Sequence, residues 1–89
     1  AMSDQQWQQY AAAVRRRALA REQWKEARRV LSAAHSRRAM GLCRDPHEVA
    51  RAQCAFNAAT LELAQAQIAM THAEREAGDT LIHVGGVAP

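Results

Sequence analysis

The residues best suited to chemistry in this sequence are two cysteines and a histidine near its middle. Cys43 and His47 are four residues apart, and Cys54 follows seven residues later. A thiol and an imidazole at this spacing are the components of a nucleophile–base pair or of a soft metal site. The spacing lacks the paired Cys-x-x-Cys pattern of zinc sites, and a chain this small offers no deep pocket or oxyanion hole. We therefore predict no metal and no cofactor, and we interpret both cysteines as reduced thiols.

Sequence motifs of enzyme catalysis are also missing. The chain has no nucleophile elbow, Gly-rich phosphate loop, paired carboxylates or His-Glu-x-x-His helix. Its three serines and four histidines are scattered without a consistent spacing. We expect that the protein is not an enzyme.

Basic side chains suggest a different kind of chemistry, the binding of phosphates. Arg21, Lys25, Arg28 and Arg29 follow one helical face at i, i+4, i+7 and i+8, a spacing suited to a nucleic-acid backbone. The formal charge is +6 over residues 1–42 and −3 over the remainder, so the two halves attract each other when they lie side by side. Nucleic-acid binding is therefore the alternative hypothesis rather than the first.

Composition indicates that helices position these residues. The 89 residues allow one domain, and 21 of them are alanine, whereas Gly and Pro together number six. A first helix is predicted from about residue 4 to residue 40, with Ser3 and Gln6 as a capping box and Gly41 as the left-handed cap. Leu42 should then fold back against the last turn of that helix.

A second helix is predicted over about residues 46–77. Asp45 is its N-cap, Pro46 its first residue and Glu48 the partner that completes a capping box, while Gly78 marks its end. A turn of only residues 41–45 makes the two helices antiparallel neighbours. The prediction is thus a single all-α helical-hairpin domain over residues 1–89, with a C-terminal tail from residue 78.

Seven-residue spacing predicts how the two arms meet. Small and large side chains alternate along each arm, and we call the small ones the alanine seam: Ala13, Ala20, Ala27 and Ala34 in the first helix, and Ala52, Ala59, Ala66 and Ala73 in the second. Such heptads are typical of a left-handed coiled coil, and alanine lets the backbones approach closely. The predicted register places Leu31 near Phe56 and Trp24 near Leu63. In architecture this hairpin resembles the Rop type of RNA-binding helical dimer, although no residue motif accompanies the likeness and no site carries over.

Two arginines, Arg17 and Arg38, interrupt the row of large side chains beside the seam. Arg38 lies near the turn, where it can reach Glu48 or solvent. Arg17 either packs its stem while its head reaches water, or sets the register or meets a partner's carboxylate.

A second apolar row on the second helix lies opposite the seam, where a two-helix hairpin cannot cover it. We call Ala50, Cys54, Leu61 and Ile68 the outer row. We predict that it mates two copies into a four-helix bundle, or serves another protein. In the tail, Thr80 to Val84 is a short β-prone run that either packs on the hairpin, is disordered or adds to a partner's sheet. The predicted partner-binding or dimer face comprises Trp7, Tyr10, Val14, Arg17, Cys54, Leu61, Ile68, Leu81 and Ile82.

These patterns favour a small protein-binding regulator of the adaptor, inhibitor or anti-activator type, acting as a homodimer that also binds another protein. The alternatives are an RNA- or DNA-binding dimer and a structural or assembly component. The excess of arginine (11) over lysine (1) indicates a GC-rich bacterial or phage source. No apolar run has the roughly 20 residues that span a bilayer, and no signal sequence is recognisable, so we expect a cytoplasmic protein without a membrane partner.

Overall fold

Two long helices make up the computed structural model, which describes residues 3–84, with side chains as far as residue 78. Helix α1 runs over Asp4–Ala39 and helix α2 over Glu48–Val84, and the two pack against each other along their length. Strands are not found between residues 3 and 84. The predicted all-α hairpin is confirmed.

The first turn of α1 is held by the predicted capping box. The Ser3 hydroxyl accepts a hydrogen bond from the Gln6 backbone N–H at 3.2 Å, and the Gln6 side chain accepts one from the Ser3 N–H at 2.9 Å. Two backbone donors that a helix leaves unpaired at its start are therefore satisfied.

Gly41 ends α1 in the left-handed conformation, with φ of 71°. Its N–H donates to the Arg38 carbonyl at 3.1 Å, and the Leu42 N–H donates to the Arg37 carbonyl at 2.8 Å. These two bonds form a Schellman motif, which turns the chain back on itself. The backbone of Leu42 folds back as predicted, but its side chain stays exposed.

The start of α2 shows one of the two predicted capping interactions. Asp45 accepts a hydrogen bond from the His47 backbone N–H at 2.8 Å, as an N-cap does, and Pro46 and His47 form a turn before the helix proper. Glu48 does not complete a capping box. Its carboxylate accepts a hydrogen bond from Arg37 Nε at 2.7 Å, because the short turn brings the end of α1 beside it.

Helix α2 does not end before Gly78, as the sequence analysis predicted, but continues to Val84. A single glycine inside a helix costs only about 1 kcal/mol relative to alanine, so it does not stop a helix that is already formed. The predicted β-prone tail segment is therefore helical in its backbone from residue 80 to residue 84. The predicted contact residues Leu81 and Ile82 lie in this part of α2, and their side chains are outside the described residues.

The alanine seam forms the core. Five of the six buried residues are seam alanines: Ala13, Ala20, Ala34, Ala52 and Ala66. Met70, from the neighbouring row of large residues, is the sixth, and the other seam alanines are half-buried. Among the described residues no large side chain is fully buried. The arms are thus joined through small side chains, as the heptads predicted.

Aromatic side chains show the register between the arms. The Trp24 ring lies against the Phe56 ring, with centroids 5.6 Å apart, and its indole N–H donates to the Thr60 hydroxyl at 3.1 Å. Trp24 thus contacts two residues one turn apart on α2. The heptads identified the rows that meet, and the pairs Leu31 with Phe56 and Trp24 with Leu63 stay predictions.

We predict that Ala66→Leu destabilises the hairpin whereas Ala18→Leu does not. Ala66 is fully enclosed between the arms, so a larger side chain must push them apart, at a cost of about 1–3 kcal/mol. Ala18 is exposed inside α1 and serves as the matched control. Thermal unfolding followed by circular dichroism measures both, and equal midpoints for the two variants would contradict an alanine-lined core.

The two described glycines should respond in opposite directions to substitution by alanine. Gly41→Ala places a Cβ at positive φ, which costs about 1–2 kcal/mol even though no atom lies within 4 Å of that Cβ. Gly78→Ala, inside α2 and equally unobstructed, should stabilise by up to about 1 kcal/mol. Chemical denaturation of both variants checks the pair; a loss of stability with Gly78→Ala would mean that Gly78 is a cap and not part of the helix.

Candidate interaction surfaces

The outer row of α2 faces away from α1 along its whole length. Ala50 and Cys54 are exposed, and Leu61 and Ile68 are 60% and 69% exposed. Seven-residue spacing places the row on the side of α2 opposite the seam. The hairpin itself therefore leaves this apolar surface in water.

Charge is missing around the outer row as well. From Ala52 to Ala73 the only Asp, Glu, Lys or Arg is Glu62, and that side chain turns toward α1. The neighbours of Leu61 on the outside of the helix are small or uncharged: Asn57, Ala58, Ala64 and Gln65, all exposed. The result is a neutral, apolar strip about 30 Å long, given the helical rise of 1.5 Å per residue. Sequence reasoning found the row but missed Ala58 and Ala64, although the long interval without charge was a readable signal.

A second apolar area, the open-end patch of Trp7, Tyr10 and Val14, lies near the start of α1. The Trp7 side chain is 57% exposed and meets the Tyr10 ring edge-on, with centroids 6.3 Å apart and planes at 88°. Val14 is exposed and Tyr10 is half-buried. The edge-on contact fixes the orientation of the exposed indole, which makes it a rigid apolar anchor.

Arg17 lies in the row of large residues beside the seam and is half-buried there. No carboxylate of the described residues is within ion-pair distance of its guanidinium. Its guanidinium is therefore not used within the hairpin, and both predicted roles, a head in solvent and a contact with a partner's carboxylate, stay predictions.

Cross-arm ion pairs cover one broad side of the hairpin, which we call the ion-pair flank: Arg16, Arg37, Glu48 and Glu62. Arg16 donates two hydrogen bonds to Glu62, at 2.9 and 2.8 Å, and Arg37 pairs with Glu48 near the turn. The hydrogen bonds from Arg16 and from Arg37 lower the pKa of Glu62 and of Glu48. Both carboxylates are thus held ionised, and the charge difference between the halves of the sequence is partly neutralised here.

The predicted nucleic-acid face is only partly available for phosphates. Arg29 binds Glu26 through two hydrogen bonds, at 3.0 and 2.6 Å, and Lys25 lies 3.3 Å from a Glu22 oxygen. The bond from Arg29 lowers the pKa of Glu26, so that pair stays charged.

Two arginines of this face, Arg21 and Arg28, have no carboxylate partner among the described residues. Arg28 stacks over the Trp24 ring at 5.5 Å from its centroid. We call the broad side that carries Arg21, Arg28 and Thr60 the Trp24 flank. It lies across the seam from the ion-pair flank.

The turn holds its cysteine and acidic groups in a network of structural contacts. Cys43 donates to the Asp45 carbonyl at 2.9 Å and lies 3.5 Å from a Glu48 oxygen. The side-chain bond from Arg51, helped by the His47 backbone N–H, lowers the pKa of Asp45. These contacts engage the thiol of Cys43 in shaping the turn. Residues 3–78 contain no group of three or more His, Cys, Asp or Glu side chains placed to hold a metal ion.

Comparison with known proteins places the chain in no family. No protein-family model, curated protein or solved structure matches it. Within the described residues, neither helix is sufficiently apolar over a long enough stretch to cross a membrane. A function for this hairpin must therefore be argued from its own surfaces.

Proposed function

We propose that this chain is a small non-enzymatic protein-binding regulator, of the adaptor, inhibitor or anti-activator type, from a bacterium or phage. It acts in the cytoplasm as a dimer of helical hairpins. The observation that carries the proposal is that many large apolar side chains are exposed while five of the six buried residues are alanine. Eight large apolar side chains are exposed: Trp7, Val14, Leu19, Val30, Met40, Leu42, Leu61 and Ile68. Where such side chains group together, as in the outer row and the open-end patch, they mark interaction sites in soluble proteins.

The exposed side chains supply two separate contact areas, as an adaptor requires. The outer row is long, straight and neutral, which suits another helix. The open-end patch offers Trp7 beside Tyr10, with the arginine Arg17 nearby, and these residue types dominate binding energy at protein interfaces. One area serves self-association and the other a different protein.

A double substitution in the outer row tests the self-association. We expect Leu61→Glu with Ile68→Glu to convert a dimer into a monomer, because each substitution places a charge in a strip that has none. Leu19→Glu is the matched control, since Leu19 is as exposed as Leu61 but lies on α1 among charged neighbours. Solution mass at several concentrations reports the outcome; a wild-type chain that is monomeric throughout would overturn the dimer.

A substitution in the open-end patch, with the same Leu19→Glu control, tests partner binding when the immobilised chain is offered a host extract. Trp7→Ser should abolish saturable capture of a protein that free wild-type chain competes away, whereas Leu19→Glu should not. Absence of any saturable, competed partner would overturn the regulator proposal even if the chain dimerises.

Nucleic-acid binding is the second candidate, favoured by the exposed Arg21 and Arg28, which have no carboxylate partner within the described part of the chain. If it holds, Arg21→Gln with Arg28→Gln should lower the slope of log affinity against log salt by about two, roughly one per lost phosphate contact. Arg29→Gln is the control, because Glu26 already neutralises that guanidinium. A mobility-shift titration measures the slope, and the lack of any shift at low salt excludes this candidate.

A further inference from the structure

We infer that the outer row of α2 is the docking site of a second copy of this chain, whose α2 lies antiparallel to it with Leu61 on the two-fold axis. The inference rests on the proposed function, which requires a dimer, and it specifies the face and the direction of the contact. The arrangement joins two hairpins edge to edge through the row that the sequence analysis assigned to a four-helix bundle.

The two broad flanks between the open-end patch and the turn are poorly suited to helix docking. A partner on the ion-pair flank would have to take the Arg16–Glu62 and Arg37–Glu48 pairs out of water, where desolvation offsets the attraction between the charges. The Trp24 flank carries Arg21 and Arg28, which lack carboxylate partners.

The outer edge of α1 is polar along its length. Its exposed residues at seven-residue spacing are Gln8, Arg15, Glu22, Arg29 and Ser36. The corresponding series of α2 is His47, Cys54, Leu61, Ile68 and Arg75. Its charged member, Arg75, lies at the far end of the helix, so Cys54, Leu61 and Ile68 can be buried without removing a charge from water.

The described residues leave the outer row open along its length. The two helices pack on each other, and between residues 3 and 84 no third layer covers α2. The open strip is about 30 Å long, which is the length of roughly 20 residues of a helix lying along it.

The spacing of apolar residues is the same on both sides of Leu61, so the row can pair with an antiparallel copy of itself. Cys54 lies seven residues before Leu61 and Ile68 seven residues after, so an antiparallel copy places Cys54 against the partner's Ile68. Small side chains, Ala58 and Ala64, flank Leu61 and allow close approach of the two backbones. A two-fold axis makes such a contact isologous, with the same residues on both sides.

Charge favours the antiparallel direction over the parallel one. Residues 37–51 around the turn carry four arginines and two acidic residues, a net charge of +2, and residues 72–79 carry three acidic residues and one arginine, a net charge of −2. Antiparallel docking brings opposite charges and opposite helix dipoles together, whereas parallel docking brings two basic turns together.

Cysteine cross-linking of the full chain distinguishes these arrangements. All variants carry Cys43→Ser, which keeps a hydroxyl donor near the Asp45 carbonyl. The first retains Cys54 alone, and the second adds Ile68→Cys to it. The third has Cys54→Ser with Leu61→Cys, and the fourth has Cys54→Ser with Ile68→Cys. Mild oxidation followed by non-reducing electrophoresis reports covalent dimers.

If the contact is antiparallel, the second and third variants should give covalent dimer as the main product. The first and fourth variants should give none. In the first and fourth variants the two thiols are separated by about 14 residues, or roughly 21 Å along the helix, and disulfides need Cα atoms within about 7 Å. Cross-linking of the first and fourth variants as readily as the third would show a parallel contact and overturn the inference while leaving the dimer intact.

Two further outcomes separate the inference from the proposed function. A dimeric mass with no cross-link in any variant places the contact on another face and overturns the inference alone. A monomeric mass at every concentration, with saturable protein capture that Leu61→Glu and Ile68→Glu abolish, overturns the inference and assigns the outer row to a different protein.

Discussion

Alanine at every seventh position of both arms sets how close the two backbones come, and the rest of the molecule follows from that approach. An alanine side chain ends at Cβ, so the two helices can approach each other closely. Ala34 and Ala66, which lie between them, are fully buried. The seam is too narrow to enclose anything larger, and Trp24, Phe56 and Leu63 beside it are only half-buried. The feature that joins the arms therefore also leaves large apolar side chains at the rim or outside.

Burying alanine yields less hydrophobic free energy than burying leucine or phenylalanine, since that free energy grows with the apolar area removed from water. Helix caps consequently contribute a larger share of the stability here than in a protein with a large hydrophobic core. The Ser3 box, the Gly41 cap and the Asp45 cap each satisfy helix-end groups. The Arg16–Glu62 pair links the arms far from the turn, but as an exposed pair it adds little stability.

The sequence allowed the secondary structure and the seam to be predicted because both depend on short-range rules. Ser3, Gly41 and the alanine heptads act through neighbouring residues or strict periodicity, and all three were confirmed. The end of α2 was predicted wrongly because Gly78 was read as a stop, although a glycine in a long, established helix is only a modest penalty. The contacts of Trp24 with Phe56 and Thr60 were not predicted, because heptad periodicity identifies the rows that face each other and not the individual contacts between them.

The sequence predicted which residues share each candidate surface, but it did not predict which of their charged side chains form ion pairs. Lys25 and Arg29 looked available for phosphates in the sequence, and the structure pairs them with Glu22 and Glu26. Glu48 was assigned to a cap, yet it pairs with Arg37 across the turn. Whether two charged side chains pair depends on their rotamers and on the distance between the arms, and sequence patterns specify neither.

The difference between the two outer edges bears on how far an assembly of this chain can grow. The outer edge of α1 presents Arg15, Glu22 and Arg29 to water, whereas that of α2 presents Leu61 and Ile68. A flat hairpin with two apolar edges would add copies without limit, as a structural filament does. With only one apolar edge, a self-matching contact uses it up once two copies have met, and the polar edges of α1 then face outward on both sides. The same asymmetry that leaves α2 uncovered within one chain therefore favours a discrete dimer over the assembly-component hypothesis.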